Sequence, residues 1–218
     1  MPTGVFSCLL VGIAHGGLSG MAAIYATRVG LGPAAIGLYV ALPSLGGVVL
    51  AWPVSAASDD LDRRAVGVAI CVGAAGASAL LLLGSAQRPM AMVLITLFGG
   101  LSYPLYSISA AYTNDWIEPE HLNAAASQIV RLYGMGAVIG PFVAGGAMSF
   151  FGPKGFYWAL IALHLAIAMF FVYRMFAWRS PLAKRPWNEV SLPARAFFVP
   201  ATIIALGRRR RRRRHAEA

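Results

Sequence analysis

Six apolar runs, each more than 20 residues long, constrain this chain more than any other feature. They fall at about 4–26, 33–57, 65–86, 90–113, 123–151 and 156–176. About 20 apolar residues, rising 1.5 Å each, carry a helix across the roughly 30 Å hydrocarbon core of a bilayer. A segment in hydrocarbon must satisfy its own backbone, so each run reads as a helix. The chain is 58% hydrophobic and only 12% charged, about half the charge of an ordinary soluble domain. The expected fold is all-α and integral to the membrane: a six-helix domain over 1–178 with short loops, then a flexible Pro/Arg-rich tail at 179–218. Net charge is +10, but Arg208–Arg214 supplies seven of it. The expected partner is therefore the lipid bilayer, with no nucleic acid. Cys8 and Cys71 fall inside apolar runs and read as buried thiols, with no metal spacing.

Between the second and third runs lies Ser55-Ala-Ala-Ser58-Asp59-Asp60-Leu61-Asp62-Arg63-Arg64, with five charges in its last six residues. Such a cluster belongs in water. Its carboxylates suit helix N-termini and its guanidiniums suit C-termini, which makes it a latch between packed helices or, equally, a solvated turn that only fixes topology.

The first run places Gly12, Gly16 and Gly20 on one helix face, open to close approach by a neighbour. His15 and Ser19 stand beside that face. His15 is either a functional ionisable group at membrane depth or a neutral ring bonded to a backbone carbonyl. Pro33 opens the second run, and Pro43, Pro53 and Gly46-Gly47 loosen it. The third run, with Gly73, Ala75, Ala77 and Ala79 at four-residue spacings, reads as packing. The fourth is the most polar, with Gly99-Gly100-Leu101-Ser102-Tyr103-Pro104-Leu105-Tyr106-Ser107 at mid-span. Hydroxyls and a proline there point to a helix lining a wet cavity, while Tyr112 fits an interfacial belt.

Asn114–Leu122 is a polar loop with Asp115, Glu118, Glu120 and the belt residue Trp116, and Asn123 is placed to cap the fifth helix. Arg131 then lies roughly 12 Å deep. It either snorkels to the headgroups or faces inward beside Gln128 and Tyr133. Gly136, Gly140, Pro141, Gly145 and Gly146 follow as a small-residue stripe with a bend. The sixth run carries His164 near its centre. Tyr157 and Trp158 flank one end, and Tyr173, Arg174 and Trp178 the other, as interface anchors. In the tail, the eleven-residue apolar piece 196–206 is too short to span. The Arg run there reads as a headgroup anchor or as low-complexity sequence with no specific role.

Six spans put both termini on one side. Lys and Arg favour that side by seven to three even without the Arg run: Arg63, Arg64 and five from Arg174 to Arg195, against Arg28, Arg88 and Lys154. The positive-inside rule makes the termini and the charged connection cytoplasmic.

The connection resembles the conserved cytoplasmic loop of the major facilitator superfamily, Gly-x-x-Ser/Ala-Asp-basic-x-Gly-Arg-Arg. Ser58, Asp59, Arg63 and Arg64 match it. Ser55, Asp60 and Asp62 replace its first glycine, basic residue and second glycine. The fifth run resembles the family's proline-bearing motif Gly-x-x-x-Gly-Pro-x-x-Gly-Gly at Gly136, Gly140 and Pro141, with Ala144 intervening and the glycine pair shifted to Gly145-Gly146. Tyr103-Pro104-Leu105-Tyr106-Ser107 with Tyr112-Thr113-Asn114-Asp115 is similar to the tenth helix of an uncharacterised bacterial efflux-type subgroup.

Family members normally have twelve helices in two halves with the solute between them. The resemblance implies that this chain is the C-terminal half, helices seven to twelve, truncated, split from its partner, or pairing with a second copy of itself. It implies alternating-access transport of a small solute across the inner membrane. Ser58, Asp59, Asp62, Arg63 and Arg64 would act as a cytoplasmic gate. His15, Ser19, Ser102, Tyr103, Tyr106, Ser107, Gln128 and Arg131 would line the cavity, with packing and a hinge at Gly136, Gly140, Pro141 and Gly145. The sequence places no acidic residue deep in any span. A coupling proton would therefore need His15, His164 or a carboxylate in the other half. An anionic or neutral amphipathic solute is the expectation from Arg131. No enzyme motif is found, and neither a catalytic residue, a cofactor nor a metal site is expected. The rival reading is a non-transporting helper or assembly subunit that pairs with a separate six-helix half.

Overall fold

The computed structural model describes residues 2–84, 89–115, 117 and 121–177. These residues form α1 (Pro2–Arg28), α2 (Pro33–Asp60), α3 (Arg63–Leu83), α4 (Pro89–Ser102), α5 (Pro104–Asn114), α6 (Leu122–Phe151) and α7 (Gly155–Ala177). They make six helices of membrane-crossing length, α4 and α5 together forming the fourth. Gln87, Arg88, Trp116, Glu118, Glu120, Trp178 and the tail from 179, with its 196–206 piece and Arg run, lie outside the described residues.

Several sequence expectations change. The charged connection, expected at 58–64 between runs ending near 57 and starting near 65, is shorter: α2 continues through Asp60, and only Leu61 and Asp62 separate it from α3. Carboxylates tolerate a helix end that reaches water, and Asp62 caps α3 by accepting from the Arg64 amide at 2.9 Å. The hydrogen-bond ladder of the fourth span is interrupted at Tyr103, which keeps helical dihedrals (φ −61°, ψ −37°), because Pro104 has no N–H for the carbonyl four residues back. Asn123 lies inside α6, where His121 takes the cap position without a side-chain bond. By contrast α2 runs on through Pro43 and Pro53, and α6 through Pro141. Where α1 ends, Gly30 adopts φ +80° and lets Leu31 N–H bond the Ala26 carbonyl at 3.1 Å.

Lipid offers helices little hydrophobic reason to associate, so close packing of small residues takes over. The most extensive packing joins α1 to α6, followed by α3 to α7 and α2 to α4. At the first seam, a Cβ on Gly12 or Gly16 would strike the carbonyl of Tyr133 or Ala137, and one on Gly140 would strike the Ile13 carbonyl. Gly20 sits against the Pro141 ring and Gly145 against Met21. At the α2–α4 seam, Gly46 meets the Thr96 carbonyl, Gly99 meets that of Pro43, and Gly47 meets the Tyr103 ring. Gly46-Gly47 and Gly99-Gly100 are thus packing positions. They neither loosen α2 nor line an open space.

The charged end of the bundle gathers the ends of α2, α5 and α7 and the start of α3. At the opposite end, Tyr25, Tyr39, Phe156 and Tyr157 pack together, and the Tyr39 and Tyr157 phenols share a hydrogen bond. Tyr157, Tyr112 and Arg174 are buried, so they are not the interface residues that their positions near run ends implied. Trp158 and Tyr173 are exposed. Cys8 and Cys71 are buried free thiols.

Candidate functional site

The break between α4 and α5 is where four spans meet through polar side chains. His15, from α1, directs Nε2 at the backbone carbonyl of Ser102 (3.0 Å) and Nδ1 at the Tyr133 phenol of α6 (3.1 Å). The Ser102 hydroxyl meets Nε2 of His164 from α7 at 2.9 Å, and His164 Nδ1 meets the Leu160 carbonyl at 2.8 Å. His15, Ser102 and His164 are all buried. Carbonyls only accept, so for neutral rings the tautomers follow: His15 carries its proton on Nε2 and accepts from Tyr133, while His164 carries its proton on Nδ1 and accepts from Ser102. Every ring nitrogen is satisfied without a formal charge, which suits a group far from water. Of the two sequence readings of His15, the geometry matches the neutral ring on a carbonyl.

This arrangement is a clamp and not a proton wire. His15 reaches the backbone oxygen of Ser102, whereas His164 reaches its hydroxyl, and an amide carbonyl has no proton to hand on. Two histidines from two helices therefore fix one residue two positions before Pro104, where helical hydrogen bonding is incomplete.

Aromatic rings extend the clamp among partly exposed side chains. The ring centroids of Tyr103 and His15 lie 4.9 Å apart, those of His15 and Tyr133 5.8 Å, and those of Tyr133 and Tyr106 4.8 Å. All three tyrosines are half-buried. The structure thus brings together His15, Ser102, Tyr103 and Tyr106. It adds Tyr133 and His164, which sequence reasoning noticed but did not group with them. Ser19 is exposed and bonds back to the His15 carbonyl at 2.6 Å. Ser107, Gln128 and Arg131 are exposed. Arg131 lies nearly opposite Tyr133 around α6 by the helical period, so it does not stand beside it.

Charge collects at the helix ends. Arg63 bonds Asp115 at the end of α5 (2.8 Å), Asp59 at the end of α2 (2.9 Å) and the Ser58 hydroxyl (3.2 Å). Arg64 holds Asp62 at 2.9 Å and donates to the Arg174 carbonyl of α7 at 3.0 Å. Four helices are tied by two guanidiniums. Asp115 was the unforeseen partner; its acidic neighbourhood was visible in the sequence, but its 52-residue separation from Arg63 was not.

Without charge, the aromatic group can stack and exchange hydrogen bonds but cannot neutralise an ion. A ring face returns about 0.5–2 kcal/mol to a cation, short of the several kcal/mol that withdrawing an ion from water costs. Among the described residues, no group of three or more His, Cys, Asp or Glu converges to hold a metal ion.

Six apolar helices, packed through glycine and joined at mid-depth by uncharged polar groups, define a multi-pass α-helical membrane protein. The sequence profile of the Major Facilitator Superfamily matches residues 4–214. The chain belongs to that superfamily, whose members are transporters and generally not enzymes. It is similar to the uncharacterized MFS-type transporter YcaD of Escherichia coli strains O139:H28, K12 DH10B and O157:H7, with 30% identity over 139 residues. That alignment covers 63% of this chain and 35% of each relative, so the chain spans about a third of their length.

Proposed function

We propose that this chain supplies six helices of a carrier that moves a small solute across the inner membrane by alternating access. The observation that carries this reading is the polar and aromatic group around Ser102, held at mid-depth by α1, α6 and α7 in a member of a transporter family. The order of the loop and proline motifs favours the C-terminal half, helices seven to twelve. In this reading a second six-helix body completes the path, whether a separate N-terminal half or another copy. The exposed residues Ser19, Ser107 and Gln128 face it or the solute, and Arg131, nearly opposite Tyr133 around α6, faces the second body. The Arg63 and Arg64 clusters brace the cytoplasmic ends of the moving half, and Pro141 allows α6 to flex. Both termini are cytoplasmic, and net movement is outward.

The test is to express the chain alone and with a separate six-helix half, and to compare retained solutes by mass spectrometry. A solute whose cellular level falls with either expression supports transport. No change in any solute would favour the helper reading, a non-transporting subunit that pairs with a separate six-helix half. Orientation is checked with Asp59→Cys: labelling by an impermeant maleimide only from the cytoplasmic face is expected, and labelling only from outside overturns the arrangement.

A further inference from the structure

The row of rings between α1, α5 and α6 carries a prediction about what is recognised. Tyr103, His15, Tyr133 and Tyr106 follow one another at 4.9, 5.8 and 4.8 Å, contributed by three spans, with Tyr103 and Tyr106 both from the fourth. The phenol of Tyr133 is committed to His15. The phenol oxygens of Tyr103 and Tyr106 have no partner among the described residues, and both side chains are only half-buried. No carboxylate or cation bonds any of the four rings among the described residues; the ion pairs all lie at the charged end. Gly47 beneath Tyr103 fixes the ring from behind, because a Cβ there would overlap it.

We infer that this row is a recognition site for an uncharged, planar aromatic solute carrying a hydrogen-bond acceptor. Rings offered edge and face by Tyr106 and Tyr133 favour another flat π-system beyond simple burial. The two available phenols donate to its acceptor. A cationic ligand would find ring faces but no counter-charge, and an anionic one would find phenols but no cation, so each would lose more on leaving water than the site returns. Arg131 does not alter this, since it points away from the row. The inference rests on the transport reading for its purpose but concerns binding alone, so the two can fail separately.

The test uses the purified full chain in lipid nanodiscs, with empty nanodiscs as the blank, and equilibrium dialysis of three matched probes: 2-naphthamide, 2-naphthoate and (2-naphthylmethyl)trimethylammonium. The amide is expected to bind at least about tenfold more tightly than either ion. Tyr106→Ala and Tyr103→Ala should each weaken it by about three- to tenfold. Tyr103→Phe and Tyr106→Phe keep the rings and test the hydroxyls if the alanine variants do not fold; each should weaken the amide by about twofold or more. Preference for either ion, or amide binding unmoved by every tyrosine substitution, overturns the site, as does no binding above the blank. Solute flux that fails while amide binding persists would remove the transport reading and leave this one standing.

Discussion

The Ser102 clamp and the charged end are both polar, both tie several helices, and are built on opposite rules. At the charged end, two guanidiniums use full charges, and the acids they meet remain partly in water: Asp115 is 25% exposed and Asp59 43%. At the clamp, no carboxylate, guanidinium or ammonium takes part, and each ring nitrogen has one partner in a fixed direction. Depth accounts for the difference. Near headgroups an ion keeps some hydration and a salt bridge costs little, while at mid-span only complete neutral hydrogen bonding avoids a large desolvation cost. The bundle therefore carries two kinds of joint, sharing only the fourth span and α7, one sensitive to ionic strength and one not.

The strongest way to break this comparison is to move a charge inward. Ser102→Asp should destabilise by at least about 3 kcal/mol, since a buried carboxylate would face neutral histidines; thermal unfolding in detergent would reveal it, and unchanged melting would falsify the depth rule. Ser102→Ala is milder, at about 1–3 kcal/mol, because His164 Nε2 loses its donor. Adding His164→Leu should recover part of that loss, and a double-mutant cycle measures the coupling. Arg63→Ala should cost about 1–2 kcal/mol by leaving Asp115 half-covered and unpaired, with the loss shrinking as salt is raised toward 1 M. Arg63→Lys should rescue only part of it, as an ammonium cannot fork between two acids. Asp59→Asn should move stability by less than about 1 kcal/mol, given its exposure. If the cytoplasmic ends brace a moving half, the same change lowers flux while membrane insertion stays normal.

Much of the architecture could be read from the chain, because hydrocarbon thickness imposes a length and a composition on each span. The connection at Ser55–Arg64 announced itself by charge density, and His15, Ser102, Tyr103 and Tyr106 by being polar where polarity is costly. Partners were harder. His15 meets Tyr133 across 118 residues and Ser102 meets His164 across 62, and one sequence contains no signal for which polar groups in different helices share a depth and a facing direction. Tyr112 and Tyr157 show the same gap, since a tyrosine near a run end fits either a headgroup belt or a buried contact. The break at Tyr103 had its cause in plain sight at Pro104. Pro43, Pro53 and Pro141 left their helices unbroken, so proline alone did not identify which span would yield.

The glycine seam between α1 and α6 sets how this bundle can deform. Main chain rests on main chain at Gly12, Gly16, Gly136 and Gly140, with no side-chain cushion to take up a shear. The two rods are consequently one mechanical part. Over this stretch, which ends just before Pro141, a tilt of the first would have to carry the second, with Tyr133 still seated on His15.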